Sequence, residues 1–79
     1  MDDSHHTPAD RWDAGDLGCG ELLVQLRKRL NALGPGDIFE LTDHDLGVPA
    51  DLPSWCRMTG HELIVAEHPT YRIQRRMEN

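Results

Sequence analysis

Between Gly20 and Gly36 the chain places leucine at positions 22, 26, 30 and 33, adds Leu23 beside them, and then breaks off at Gly34-Pro35-Gly36. Spacings of four and three put these side chains on one face of a helix, with Gln25, Lys28 and Arg29 on the other. Gly-Pro-Gly is a stop signal, because glycine accepts the left-handed turn and proline cannot continue the ladder. A helix with one apolar stripe needs a layer to bury it.

The flanking segments supply that layer. Arg11–Ala14 reads as a short first strand with Trp12 pointing to the core, and 15–18 as a turn before a helix over Gly20–Leu33. Asp37–Asp43 (DIFELTD) alternates and is rich in β-formers, so it reads as a strand. Asp43–Ala50 reads as a loop, with Asp51 capping a second helix, Pro53 in its first turn and Gly60 at its end. Leu52, Trp55, Cys56 and Thr59 share one face of that helix. Glu62–Glu67 and Thr70–Arg75 read as two strands joined tightly through His68-Pro69. The order βαβαββ makes the first two strands parallel and the last two antiparallel. The fold class is α+β: a two-layer sandwich with two helices on one face of a four-stranded mixed sheet. Residues 1–10 read as a disordered tail, 11–76 as the domain and 77–79 as a second tail. His5 and His6 fall on the first tail and carry no site.

Charge and size narrow the function. The chain has 79 residues, 14 acidic against 8 Lys and Arg, and a net charge of -6. That balance excludes nucleic acid as the main partner, which needs clustered positive charge. Arg27, Lys28 and Arg29, and again Arg72, Arg75 and Arg76, form basic groups within this acidic chain. They are either solvated faces or a docking surface for an acidic protein. A domain this short buries only ~60% of its unfolded surface, so there is no room for a deep catalytic cavity beside the core. Chemistry is expected at a surface residue working with a partner protein. Two cysteines are too few for a secreted disulfide scaffold, and no apolar run resembles a signal peptide or a membrane span. The expectation is a soluble cytoplasmic protein with reduced thiols, no cofactor and no metal. A zinc set of Cys19, Cys56 and His61 lacks a fourth ligand, and the spacing from Cys56 to His61 does not suit one helical face. Ser54 and His61 have no orienting acid, which leaves hydrolysis without support.

Cys19 is the residue most suited to chemistry. It stands at the head of the first helix, where free N–H groups and the helix dipole favour a thiolate, so its pKa is expected below the ordinary ~8.5. Gly18 and Gly20 leave the sulfur unshielded, while Asp16 adds an opposing negative charge. The plain alternative is a small N-cap residue without function. Cys56, between Leu52 and Thr59, is expected to pack as a small hydrophobe. A Cys19–Cys56 disulfide stays open geometrically, although the expected compartment argues against it.

Asp13 and Ala14, followed by Leu17, Cys19 and Glu21, resemble the signature of the TusA-like (SirA-like) sulfur-carrier family. Thr42-Asp43, Asp51-Leu52-Pro53-Ser54-Trp55-Cys56 and Gly60-His61-Glu62-Leu63 resemble that family's DxPxxC…GHEL stretch. The resemblance spans residues 11–76 and implies the same βαβαββ fold. It further implies a sulfurtransferase-type carrier that holds a persulfide on Cys19. Sulfur would come from a protein donor (a cysteine desulfurase or a rhodanese-like enzyme) and pass to a protein acceptor, with no direct nucleic acid or membrane partner. Asp16, Gly18, Gly20 and Glu21 would form the supporting turn and helix start. Where the family has Cys-Pro-x-Pro, this chain has Cys19-Gly20-Glu21-Leu22, so both prolines are missing. That departure motivates an alternative: an interaction or regulatory module that kept the fold and lost sulfur transfer.

Overall fold

The computed structural model describes residues 7–77. Its elements are β1 (Asp10–Asp13), α1 (Cys19–Asn31), β2 (Ile38–Thr42), α2 (Val48–Thr59), β3 (Glu62–Glu67) and β4 (Thr70–Gln74). The strands form one sheet in the order β1-β2-β4-β3. β1 runs parallel to β2, pairing Trp12 with Leu41, while β4 is antiparallel to both β2 and β3. The α+β sandwich and its strand directions are those expected from the sequence.

Cross-strand pairs explain why the sheet has a dry and a wet face. Phe39 opposes Ile73, and Leu41 opposes Tyr71. All four are buried, and they meet Leu22, Leu26 and Leu30 of α1 and Val48, Leu52, Trp55 and Cys56 of α2 in one core. Each fully buried leucine contributes about 2 kcal/mol. The alternate positions form a charged row on the other face: Glu40 lies 3.8 Å from Arg11 and 3.4 Å from Arg72. Trp12 is half-buried against the core, and the Arg29 guanidinium lies over its ring at 4.0 Å.

Several boundaries differ from the sequence reading. β1 begins at Asp10, and the Ala9 N–H already donates to Ile38 O, so the folded chain starts before residue 11. Residues 1–6 and 78–79 of the expected tails, including His5 and His6, lie outside the described residues. α1 starts at Cys19 rather than Gly20 and ends at Asn31, with Leu33 turning back to donate to Leu30 O. α2 begins at Val48, a full turn before Asp51, so Asp51 is a residue of the first turn and not the cap. Gly47 holds the cap position and Pro49 the second helical position, where a missing N–H costs nothing. Pro53 consequently falls inside the helix, where it withholds one bond from the ladder. Gly60, with φ of 87°, ends α2 as expected.

Candidate functional site

Parallel pairing of β1 and β2 brings the loops after these strands side by side, and each loop feeds a helix. Ala14 N–H donates to Thr42 O, and His44 N–H donates to Gly15 O. The N-termini of α1 and α2 therefore share one end of the molecule, at the carboxyl ends of the strands, where ligand and reaction sites of such sheets commonly gather.

Cys19 is the first residue of α1. Gly18 caps the helix in an extended conformation without a side-chain bond, and its carbonyl accepts from the Leu22 N–H at 2.8 Å. The sulfur is half-buried and faces the start of α2: a methyl group placed on Gly47 would come 3.6 Å from Cys19 Sγ and 3.0 Å from Asp45 Oδ2. Glycine at 47 leaves that space open beside the thiol. The Asp51 carboxylate accepts a hydrogen bond from the thiol.

The Cys19 environment reverses the expected acidity. Burial, then the Asp51 hydrogen bond and the negative charges of Asp51, Asp45 and Asp43, push the thiol up to about 11. Two helix N-termini favour the thiolate, but burial and three carboxylates outweigh them. Asp16, expected to act on Cys19, instead adds to the charges that raise Asp43. Gly18 and Gly20 are exposed and shape the turn. Glu21 is exposed as well, and its carboxylate accepts from Gln25 Nε2 at 3.2 Å. Gly47, Asp45 and Asp51, from the other helix start, are the residues that shape the open side and the charge around the sulfur.

Asp43 is wholly buried. Its Oδ1 accepts from the Asp45 N–H at 2.9 Å, while Oδ2 has no hydrogen-bond partner. Burial raises its carboxyl above the usual range, against the Asp45 hydrogen bond. Tyr71, also buried, shares a hydrogen bond with His68 Nδ1. Its hydroxyl is raised by burial first and then by charge on Asp43 and Cys19. Asp43, Asp45, Gly47 and Tyr71 did not stand out as site residues in the sequence. The usable signal was the parallel β1–β2 pair, which sets the 43–47 loop beside the Cys19 turn.

Cys56 lies on the core face of α2, and burial alone pushes its thiol up to about 11. Both cysteines are free. Among the described residues no group of three or more His, Cys, Asp or Glu side chains is arranged to hold a metal ion, and no helix is long and apolar enough to cross a membrane.

Comparison with known proteins agrees with this arrangement. Residues 11–75 match the family model described as Sulfurtransferase TusA. The chain is 38% identical over 55 residues to YrkF of Bacillus subtilis (strain 168), covering 70% of this chain and 30% of that protein. It is 36% identical over 52 residues to YrkI of the same organism, covering 66% and 69%. Identity to the sulfur carrier protein TusA of Pseudomonas aeruginosa (strain LESB58) is 33% over 52 residues, covering 66% of each chain. The match thus spans less than a third of YrkF. A family match across both helices and all four strands, with a cysteine at the head of the first helix, has one consequence: the chain belongs to the sulfurtransferase TusA family.

Proposed function

We propose that this protein is a cytoplasmic sulfur carrier that accepts sulfane sulfur on Cys19 and passes it to a protein acceptor. The observation that carries the proposal is the position of Cys19: the first residue of α1, half-buried against the start of α2, within a family match over residues 11–75. A cysteine desulfurase or a rhodanese-like protein is the donor. The Cys19 thiolate attacks the terminal sulfur of the donor's persulfide. The new bond joins Cys19 Sγ to that sulfur, the donor's S–S bond breaks, and the donor leaves as a thiolate. No net oxidation occurs, and delivery to the acceptor repeats the exchange.

Cys19 must lose a proton first, and with the thiol held up to about 11 almost none is ionised near neutrality. Asp51, which accepts the thiol's hydrogen bond, is placed to receive that proton. A cationic donor surface over Asp45 and Asp51 would remove part of the charge that disfavours the thiolate. The carrier is therefore quiet alone and becomes reactive on docking.

The raised thiol and the absent prolines favour one other reading, an interaction or regulatory module without sulfur transfer. Loading separates the two. Incubation with a cysteine desulfurase and cysteine is expected to add the mass of one sulfur atom, reversed by a reductant. Cys19→Ser blocks the gain and Cys56→Ser retains it. If neither a desulfurase nor a rhodanese-like donor loads the wild type, the carrier reading fails and the regulatory module stands.

A further inference from the structure

The opposite ends of the two helices carry a different chemistry. Arg27 and Asn31 lie in the last two turns of α1, and Thr59 ends α2, so this region is separated from Cys19 by roughly 12–18 Å of helix. A pocket of about 320 Å³ opens there, lined by Arg27, Asn31, Trp55, Thr59, His61 and Arg76 among others. A shallow trough of about 460 Å³ shares Arg27, Asn31 and Trp55 with it and adds Leu23, Val24 and Lys28. No carboxylate lines either space, in a chain whose net charge is -6.

The cations here are differently held. Arg76 is fixed at the rim: its Nη1 donates to Thr59 O at 3.0 Å, and its backbone N–H donates to His61 Nδ1 at 3.0 Å. Its remaining guanidinium donors are left for a further acceptor. Arg27 has no ion pair or hydrogen bond with any described residue. Trp55 is packed into the core, forms the shared wall, and stacks at a tilt on His61 with ring centroids 5.6 Å apart. Two guanidinium groups, a side-chain amide and an aromatic wall beside apolar Leu23 and Val24 make a polar head site with an apolar extension. Planar guanidinium forks match phosphoryl oxygens, and the two spaces have the size of small-ligand sites.

We propose that this pocket binds a small organic phosphate. The dianionic phosphoryl group sits between Arg27 and Arg76, and the organic part lies along Trp55 toward Leu23 and Val24. The site uses none of the groups around Cys19, so it stands or falls independently of sulfur loading.

Phenyl phosphate is a suitable probe, compared with inorganic phosphate and with sodium chloride at matched ionic strength, in ¹⁵N NMR titrations of the full chain. Saturable shifts are expected at the Asn31 side chain, the Trp55 indole and the Thr59–His61 amides. Phenyl phosphate is expected to bind more tightly than inorganic phosphate, because only the former reaches the apolar trough. Arg27→Gln, an exposed helical substitution that leaves the fold alone, is expected to weaken binding roughly tenfold. Arg76→Gln is expected to do the same, with circular dichroism checking that loss of the Thr59 contact leaves the fold intact. Equal binding of the two phosphates removes the organic part of the proposal. Shifts that do not saturate, that match sodium chloride, or that persist in Arg27→Gln overturn it outright. So does binding of an acidic peptide where phenyl phosphate fails, since the surface would then be a protein dock.

Discussion

Cys19 and Cys56 both hold their protons up to about 11, but for different reasons. Cys56 is raised by burial alone, in a core it shares with Leu52 and Trp55. Cys19 is raised by burial and also by Asp51, Asp45 and Asp43, carboxylates gathered at the start of α2. A burial penalty persists as long as the fold does. A charge penalty can be cancelled by a cation brought by another molecule. The same acidity therefore marks one thiol as structural and the other as conditional, and the position of the carboxylates makes the distinction.

Labelling separates the two thiols most sharply. With equal thiol acidity, reactivity is decided by access, and Cys56 is only 2% exposed. Its alkylation requires opening of the core, so brief labelling of the native protein is expected to favour Cys19 by on the order of a thousandfold. Peptide mapping reads the ratio. Equal labelling would show that the core around Cys56 opens freely.

Stability against pH gives the next largest effect. The folded state raises the Cys56 pKa, so its contribution is fully present below the ordinary thiol range and is lost as pH rises through about 11. The unfolded chain ionises first and gains from each step upward. Up to about 3 kcal/mol is expected to disappear between the two values. Tyr71, also raised by burial, contributes with the same sign. The test is therefore the difference between the wild type and Cys56→Ala in urea unfolding at several alkaline pH values. The same slope in both would remove Cys56 as a contributor.

A smaller change sharpens the Cys19 side. Asp51→Asn removes the nearest charge and weakens the acceptor that holds the thiol proton. The Cys19 alkylation rate at neutral pH is expected to rise roughly tenfold, with the whole pH profile moving to lower pH. In wild type the rate is expected to climb with pH toward about 11. Labelling of Cys56 in the same sample, after unfolding, serves as the internal standard. An unchanged Cys19 profile would mean that burial alone sets both thiols, and the proposed activation by a cationic donor would lose its basis.

The leucine stripe at 22, 26 and 30 and the alternation in DIFELTD determined both layers, because each pattern states which face is apolar. The start of α2 was harder to read. Gly47 and Pro49 punctuate loops in most settings, yet a proline at the second helical position is also a start signal. Only packing distinguishes the two, and Val48, fully buried in the core, gives the answer. The acidity of Cys19 was not legible locally. Residues 16–21 present a helix N-terminus that favours the thiolate, whereas what prevails is burial against the rest of the fold and then the carboxylates at 43, 45 and 51. Their approach depends on β1 pairing with β2.

The last comparison is between the two helix starts. α2 opens Val48-Pro49 and α1 opens Cys19-Gly20, so α2 carries a proline where α1 carries a glycine. Three observations show that Gly20 can accept one. Its φ is not positive, its N–H makes no backbone hydrogen bond, and a Cβ there meets nothing within 4 Å. A residue before proline resists the helical region, but Val48 adopts it before Pro49, so the fold already contains that arrangement. Position 22 is different, because the Leu22 N–H makes the first bond of α1 and its side chain is fully buried. Gly20→Pro is therefore expected to stabilise the fold by about 0.4–1 kcal/mol, mainly by restricting the unfolded chain, whereas Leu22→Pro is expected to destabilise it. Urea unfolding of both variants measures this. With the first turn of α1 restrained, Cys19 should keep its pH profile, since its burial, and then the carboxylates of α2 and the loop before it, are left in place. A fall in stability of Gly20→Pro would show that the Cys19 turn needs the freedom of glycine, and that the two helix starts are not interchangeable.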